Sequence, residues 1–126
     1  MTRICIAGGP QVGKTTLGRQ LATATTPLCS TDDNVLWQDW SAQSEAVVKW
    51  LEGAGPWVIE GVPVIRALRK WLRSHPDGKP CDTLYWRFEG RGERTLGQES
   101  LAKGCLAVYE EIAPELRRRG VEIRTF

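Results

Sequence analysis

The chain has 126 residues, of which 41% are hydrophobic and 25% charged, and a formal net charge of +2. That length suits one domain with a modest core, and no apolar run nears the roughly 20 residues of a membrane span. The charge balance is too even for the whole-molecule field to announce nucleic acid, so any polyanion site has to be local.

Strand-forming residues begin almost at Met1, with no basic and apolar leader before them, which points to a cytoplasmic protein with reduced cysteines. Cys5, Cys29, Cys81 and Cys105 are widely spaced and the single histidine, His75, lies in a Pro-flanked loop. That spacing reads as small packing residues and not as a zinc site.

Residues 2–7 form an apolar run of the kind found in a central parallel strand. It ends in Gly8-Gly9-Pro10-Gln11-Val12-Gly13-Lys14-Thr15, which fits G-x-x-x-x-G-K-[ST] with no mismatch. A helix over about 13–25 follows, with Leu17 and Leu21 inward and Pro27 ending it. Strand before and helix after is the setting a phosphate-binding loop requires. Its glycines let backbone N–H groups turn inward, and the helix directs its positive end at the anion. The Lys14 ammonium would reach the outer phosphate oxygens. ATP would therefore rest on Gly8, Gly9, Pro10, Gln11, Val12, Gly13, Lys14, Thr15 and Thr16, with Thr15 ligating Mg²⁺.

The short run 28–31 predicts a second strand, which delivers Asp32 and Asp33 at its carboxyl end, where ligands of open parallel sheets sit. A turn with an Asx cap is the local alternative for these two residues. A Trp-bearing connection through Trp37 and Trp40 leads to a helix capped by Ser41 and running to Glu52, with Val47, Trp50 and Leu51 as its apolar stripe. After the Gly53-Ala54-Gly55-Pro56 break, Trp57-Val58-Ile59 reads as a third buried strand closing in Glu60-Gly61. An apolar strand ending in one acid has the form of a Walker B element, whose carboxylate serves the Mg²⁺ shell; an ordinary strand-end glutamate is the alternative.

A third helix is predicted over about 63–74, with Arg66, Arg69, Lys70 and Arg73 along one face. A solvated helix face and an electrostatic track for a polyanion are both consistent with that stripe. Residues 81–86 read as strand four; Arg87, Arg91 and Arg94 follow it in a glycine-punctuated stretch suited to a short lid over about 87–103. The segment 95–119 is helical by its period, with Leu101, Cys105, Val108, Ile112 and Leu116 inward and a kink or restart expected at Pro114, and 121–125 supplies strand five.

Five short strands separated by helices give an α/β fold with a parallel sheet and right-handed crossovers, helices lying on both faces of the sheet. On the loop at 8–15, the acid-bearing Ser30-Thr31-Asp32-Asp33 and the turn Trp57-Val58-Ile59-Glu60-Gly61-Val62-Pro63, the chain resembles the small P-loop kinases. That group includes adenylate, shikimate and gluconate kinases and the kinase half of phage polynucleotide kinase. The resemblance covers nearly the whole chain as a single P-loop kinase domain over 1–126. It implies the three-layer P-loop NTPase fold with strand order 2-3-1-4-5, and transfer of the ATP γ-phosphate to a hydroxyl.

It further implies Asp32 as the base that accepts the hydroxyl proton, with Asp33 in reserve, Glu60 with Thr15 at the Mg²⁺, and Arg87, Arg91 and Arg94 as lid arginines beside Lys14. Only 23 residues separate Asp33 from Trp57, too few for the nucleoside-monophosphate domain of adenylate kinase. Such an open cleft suits a large acceptor such as DNA, contacted by Trp37, Trp40, Arg66 and Arg69. The compactness is similar to bacteriophage kinases that phosphorylate hydroxymethylpyrimidines in DNA. A free nucleoside or nucleotide kinase, a small-metabolite kinase and a nucleotide-gated ATPase are the other readings.

Overall fold

The computed structural model describes residues 2–31, 39–90 and 92–126. Five strands, β1 (Arg3–Gly8), β2 (Leu28–Ser30), β3 (Trp57–Glu60), β4 (Thr83–Arg87) and β5 (Glu122–Thr125), form one sheet in the order β2-β3-β1-β4-β5. Every pairing is parallel. Four helices connect them: α1 (Lys14–Leu21), α2 (Trp40–Leu51), α3 (Val64–Ser74) and α4 (Leu96–Arg118). The fold is the α/β arrangement that the alternation of apolar runs and helical segments predicts.

Period-two alternation decides which side chains go to which face. Cys5, Ala7, Trp57, Ile59, Leu84 and Trp86 join the larger core, closed by Val47 and Leu51 of α2, the apolar face of α3 and Cys105, Val108, Ile112 and Leu116 of α4. Ile4, Ile6 and Val58 point to the opposite face, where Leu17 and Leu21 of α1 cover them. Three of the described tryptophans, Trp57, Trp71 and Trp86, are buried core residues, and Trp86 stacks on Tyr109 at 4.2 Å. Cys5, Cys81 and Cys105 are buried as well, in keeping with a packing role.

The elements differ from the sequence expectation mainly at their ends. Helix α1 stops at Leu21 because Ala22 turns extended and Thr23 and Thr26 close a small turn, their backbones bonded at 2.9 and 3.2 Å and the Thr23 hydroxyl accepting from the Thr26 N–H. Threonine hydroxyls compete with the helix for its backbone groups, so the helix does not reach 25. Helix α2 is capped by Asp39, whose carboxylate accepts the Ala42 N–H at 2.8 Å, two residues before the expected Ser41. Helix α4 runs through Pro114 as a single 23-residue element, opened by a Thr95–Gln98 capping box. No helix among the described residues is long and apolar enough to cross a membrane.

Candidate functional site

Parallel register places the carboxyl ends of the strands side by side: Ser30 lies opposite Glu60, Glu60 opposite Ile6, and Gly8 opposite Arg87. The chain leaves β1 at Gly8, crosses this edge, and enters α1 at Lys14. Gly13 caps that helix with φ +87°, a left-handed conformation that glycine adopts at no steric cost, and Gln11 also has positive φ, at 64°. The loop borders an open cleft of about 460 Å³, lined by residues 10–16, Trp40, Glu60, Val62, Gln98 and Leu101.

Within the loop, Lys14 is buried, and its ammonium donates to the Gly9 carbonyl at 2.6 Å. This bond holds the side chain along the loop. Thr15 follows at the first turn of α1, and its hydroxyl donates to Glu60 Oε1 at 3.2 Å. Glu60 is itself only 1% exposed and also accepts from the Ser30 hydroxyl. A carboxylate this deep costs several kcal/mol unless it is paired or hydrogen-bonded. Two hydroxyl donors answer part of that cost and fix Oε1 beside Thr15.

Thr15 and Glu60 supply hard oxygen donors at the edge of the cleft that the loop over 8–15 borders. Magnesium keeps several waters and takes one or two protein groups along with substrate phosphates, so this pair fits it. Among the described residues there is no cluster of three or more His, Cys, Asp or Glu side chains able to hold a metal by themselves.

Other expected site residues fall elsewhere. Asp32, Asp33, Trp37 and Arg91 lie outside the described residues. Arg87 donates to the carbonyls of Glu89 and Phe126, at 2.7 and 2.9 Å, and lines a separate cleft at the ends of β4 and β5. Arg94 is turned inward onto carbonyls, as detailed below. Neither is among the residues lining the cleft at the loop over 8–15.

The basic stripe on α3 divides. Because α3 starts at the carboxyl edge and runs back along the sheet, Arg69 and Arg73 sit roughly 5 and 10 Å farther from that edge than Arg66. Arg69 and Arg73 face Glu111 of α4 at 3.5 and 3.6 Å, and Lys70 pairs with Glu45 at 3.0 Å. Arg69 and Arg73 line their own cleft between α3 and α4. Arg66 stays near the loop end, with Nη1 3.7 Å from the Cys105 sulfur. Burial pushes the Cys105 thiol up in spite of the nearby charges of Arg66, Lys14 and Arg94. It is a neutral packing group, not a nucleophile.

Some cleft residues gave no functional signal in the sequence. Leu101 reads there only as part of a helix's inward stripe, and Gln98 carries no signal at all. Ser30 holds Glu60 through strand register, which motif spacing does not reveal. No family model matches the chain, and no curated protein is similar to it.

Proposed function

We propose that the protein is an ATP-dependent, Mg²⁺-requiring phosphotransferase that moves the γ-phosphate of ATP to a hydroxyl of a nucleotide-type acceptor. The observation that carries this reading is the Thr15 hydroxyl bonded to the buried Glu60 carboxylate at 3.2 Å, immediately beside a phosphate loop that opens on a cleft. A glycine-rich turn serving only to join a strand to a helix has no need for a desolvated acid next to its Thr15 hydroxyl.

In this mechanism the backbone N–H groups along 11–16 and the amino-terminal end of α1 receive the phosphates. The Lys14 ammonium shifts from the Gly9 carbonyl to the outer phosphate oxygens. Thr15 and Glu60 would hold the magnesium ion. When bound, that ion neutralises charge on the phosphate oxygens. Asp32 accepts the proton of the attacking hydroxyl, with Asp33 as the reserve base.

The rest of the cleft lining favours a flat acceptor. Besides the loop and Glu60, the cleft is lined by Trp40, 49% exposed, Val62, Leu101 and one polar group, Gln98. A sugar or small polyhydroxyl acid needs an array of polar partners, because each buried hydroxyl left unpaired costs about 1–3 kcal/mol. An indole face and two aliphatic side chains instead suit a nucleobase ring, whose stacking contributes about 1–3 kcal/mol. In its most specific form the acceptor is a 5-hydroxymethylpyrimidine, such as 5-hydroxymethyluracil, in DNA. There the target base would leave the stack to reach the γ-phosphate.

Incubation with γ-labelled ATP, Mg²⁺ and an acceptor panel tests the reading. The panel contains DNA with and without hydroxymethylated pyrimidines, free nucleosides and nucleotides, and simple sugars. Label in hydroxymethylated DNA is the expected result. Label in free nucleosides alone removes DNA from the account, and label released only as inorganic phosphate replaces the transferase with a nucleotide-gated ATPase.

A further inference from the structure

Arg94 lies in the connection between β4 and α4, one residue before the Thr95 cap that fixes the start of the helix. Its side chain is 6% exposed. Nε donates to the Pro10 carbonyl at 2.9 Å, Nη2 to the Phe88 carbonyl at 2.6 Å, and Nη1 lies 3.5 Å from Glu99 Oε1. The guanidinium also sits 5.6 Å from the centre of the Phe88 ring. Each of its three nitrogens is thus engaged with a different part of the chain: the phosphate loop, the end of β4 and the first turn of α4.

A guanidinium that stabilises a transferring phosphoryl group presents its fork to the phosphate. Arg94 presents its fork to the protein backbone. The consequence falls on the loop. In a trans peptide the carbonyl oxygen and the next N–H point in opposite directions, so tying the Pro10 oxygen to Arg94 turns the Gln11 N–H away from Arg94. Gln11 is one of the cleft-lining residues and has positive φ, a conformation that a free loop leaves readily. Helix α4 supports the loop at the preceding residue too: a Cβ on Gly9 would lie 2.6 Å from the Ala102 Cβ. The phosphate loop is therefore clasped from behind at Gly9 and Pro10.

From this geometry we infer that Arg94 is a positioning residue. Its buried guanidinium pre-sets the phosphate loop for nucleotide binding by holding the Pro10 carbonyl, and it does not act as the arginine of the transition state. The inference rests on the nucleotide-binding reading of the loop. It differs from the expectation, drawn from the lid-arginine resemblance, that Arg94 acts on the transferred group.

The two roles separate in binding experiments that require no acceptor. A ground-state strut serves ADP and the transition-state mimic ADP–aluminium fluoride alike, whereas a transition-state arginine serves the mimic selectively. Dissociation constants for both ligands, with Mg²⁺, are measured by calorimetry on the wild-type protein, Arg94→Lys and Arg94→Ala. Circular dichroism and thermal melting report on folding. Arg94→Lys keeps the charge but places one compact ammonium where three directed nitrogens stood.

We expect both substitutions to weaken ADP and ADP–aluminium fluoride by the same factor, about tenfold for Lys and more for Ala. If the alanine variant does not fold, the lysine variant decides. Unchanged ADP affinity with a loss of 10²-fold or more for the mimic would make Arg94 a transition-state group and overturn the inference. Unchanged affinity for both ligands in a folded Arg94→Lys protein overturns it as well. Failure of the wild-type protein to bind ADP at all removes the nucleotide reading itself, a result distinct from either of these.

Discussion

At the amino-terminal edge of the sheet, Asp82 accepts the Arg3 backbone N–H at 2.9 Å and faces the Arg3 and Lys79 side chains at 3.5 and 3.4 Å. Nearby, Arg119 donates to the carbonyls of Leu72, His75 and Gly78 and pairs with Glu115. At the carboxyl edge, Lys14, Thr15 and Glu60 are bonded among themselves and to the loop, yet they line a cleft of about 460 Å³. Both edges carry charge and both border open volume: Arg119 and Glu115 line a cleft of about 230 Å³, half the size of the one at the carboxyl edge. Residue type does not distinguish them. What distinguishes them is arrangement: the Asp82 carboxylate is engaged with Arg3 and Lys79, whereas Lys14, Thr15 and Glu60 border the larger of the two volumes.

That contrast predicts opposite outcomes for substitutions at the two edges. The largest effect is expected for Lys14→Ala, which should lower phosphoryl transfer on the order of 10²–10³-fold. A melting temperature within a few degrees of wild type would place that loss in function. Trp40→Ala comes next: about tenfold in KM for the acceptor, with KM for ATP unchanged, since a stacked base is worth about 1–3 kcal/mol and half of the indole already faces solvent. An equal rise in KM for ATP would move Trp40 to the donor side.

At the opposite edge the expected effect is on stability alone. Asp82→Ala should cost about 1–2 kcal/mol by leaving the Arg3 N–H without its partner, with nucleotide affinity untouched. Burial tends to raise the Asp82 carboxyl, but the Arg3 N–H and the Lys79 and Arg3 side chains outweigh it and hold the group below its ordinary value. Hydrogen bonds from Arg118 and Arg119 likewise hold Glu115 down, at about 2. Both carboxylates are depressed in the folded chain, so the stability they contribute is complete above their unfolded values, near pH 4–4.5. It is lost as the pH falls from there toward 2. Urea midpoints measured between pH 5 and pH 2.5 should fall with acidification, and by less in Asp82→Ala. The smallest effect is expected for Arg73→Ala, less than about 0.5 kcal/mol and no change in transfer, because its pairing with Glu111 is exposed.

The same contrast explains what was legible in the sequence. The loop at 8–15 announces itself because its chemistry is local: glycine, lysine and threonine at fixed spacing carry the geometry with them. The strands follow from apolar runs alternating with helical segments, and their order is the one that the resemblance to the small P-loop kinases implies. The end of α1 was less legible, because Thr23 and Thr26 compete for backbone groups in a way that the helical period of Leu17 and Leu21 does not report. Arg94 and the α3 stripe were least legible. Arg94 is expected from the resemblance as a lid arginine, and nothing in its spacing shows its partners, a carbonyl 84 residues away and another 6 residues back. Arg69 reads as part of a solvated face or a polyanion track, and its spacing does not show that the fold places it beside Glu111, 42 residues on. Side-chain partners chosen by tertiary packing leave no mark in local spacing.

The claim at the centre of this account is that the Thr15–Glu60 pair and the loop beside it form a magnesium–nucleotide donor site. Equilibrium binding of ATP with and without Mg²⁺ to the wild-type protein and to Glu60→Gln tests it most directly. The glutamine oxygen can still accept from Ser30 and Thr15, so the variant should fold. The account predicts that Mg²⁺ strengthens ATP binding at least tenfold in the wild-type protein and that Glu60→Gln loses most of that gain. Binding that ignores Mg²⁺, or a Glu60→Gln protein that responds to it as the wild type does, would contradict the account.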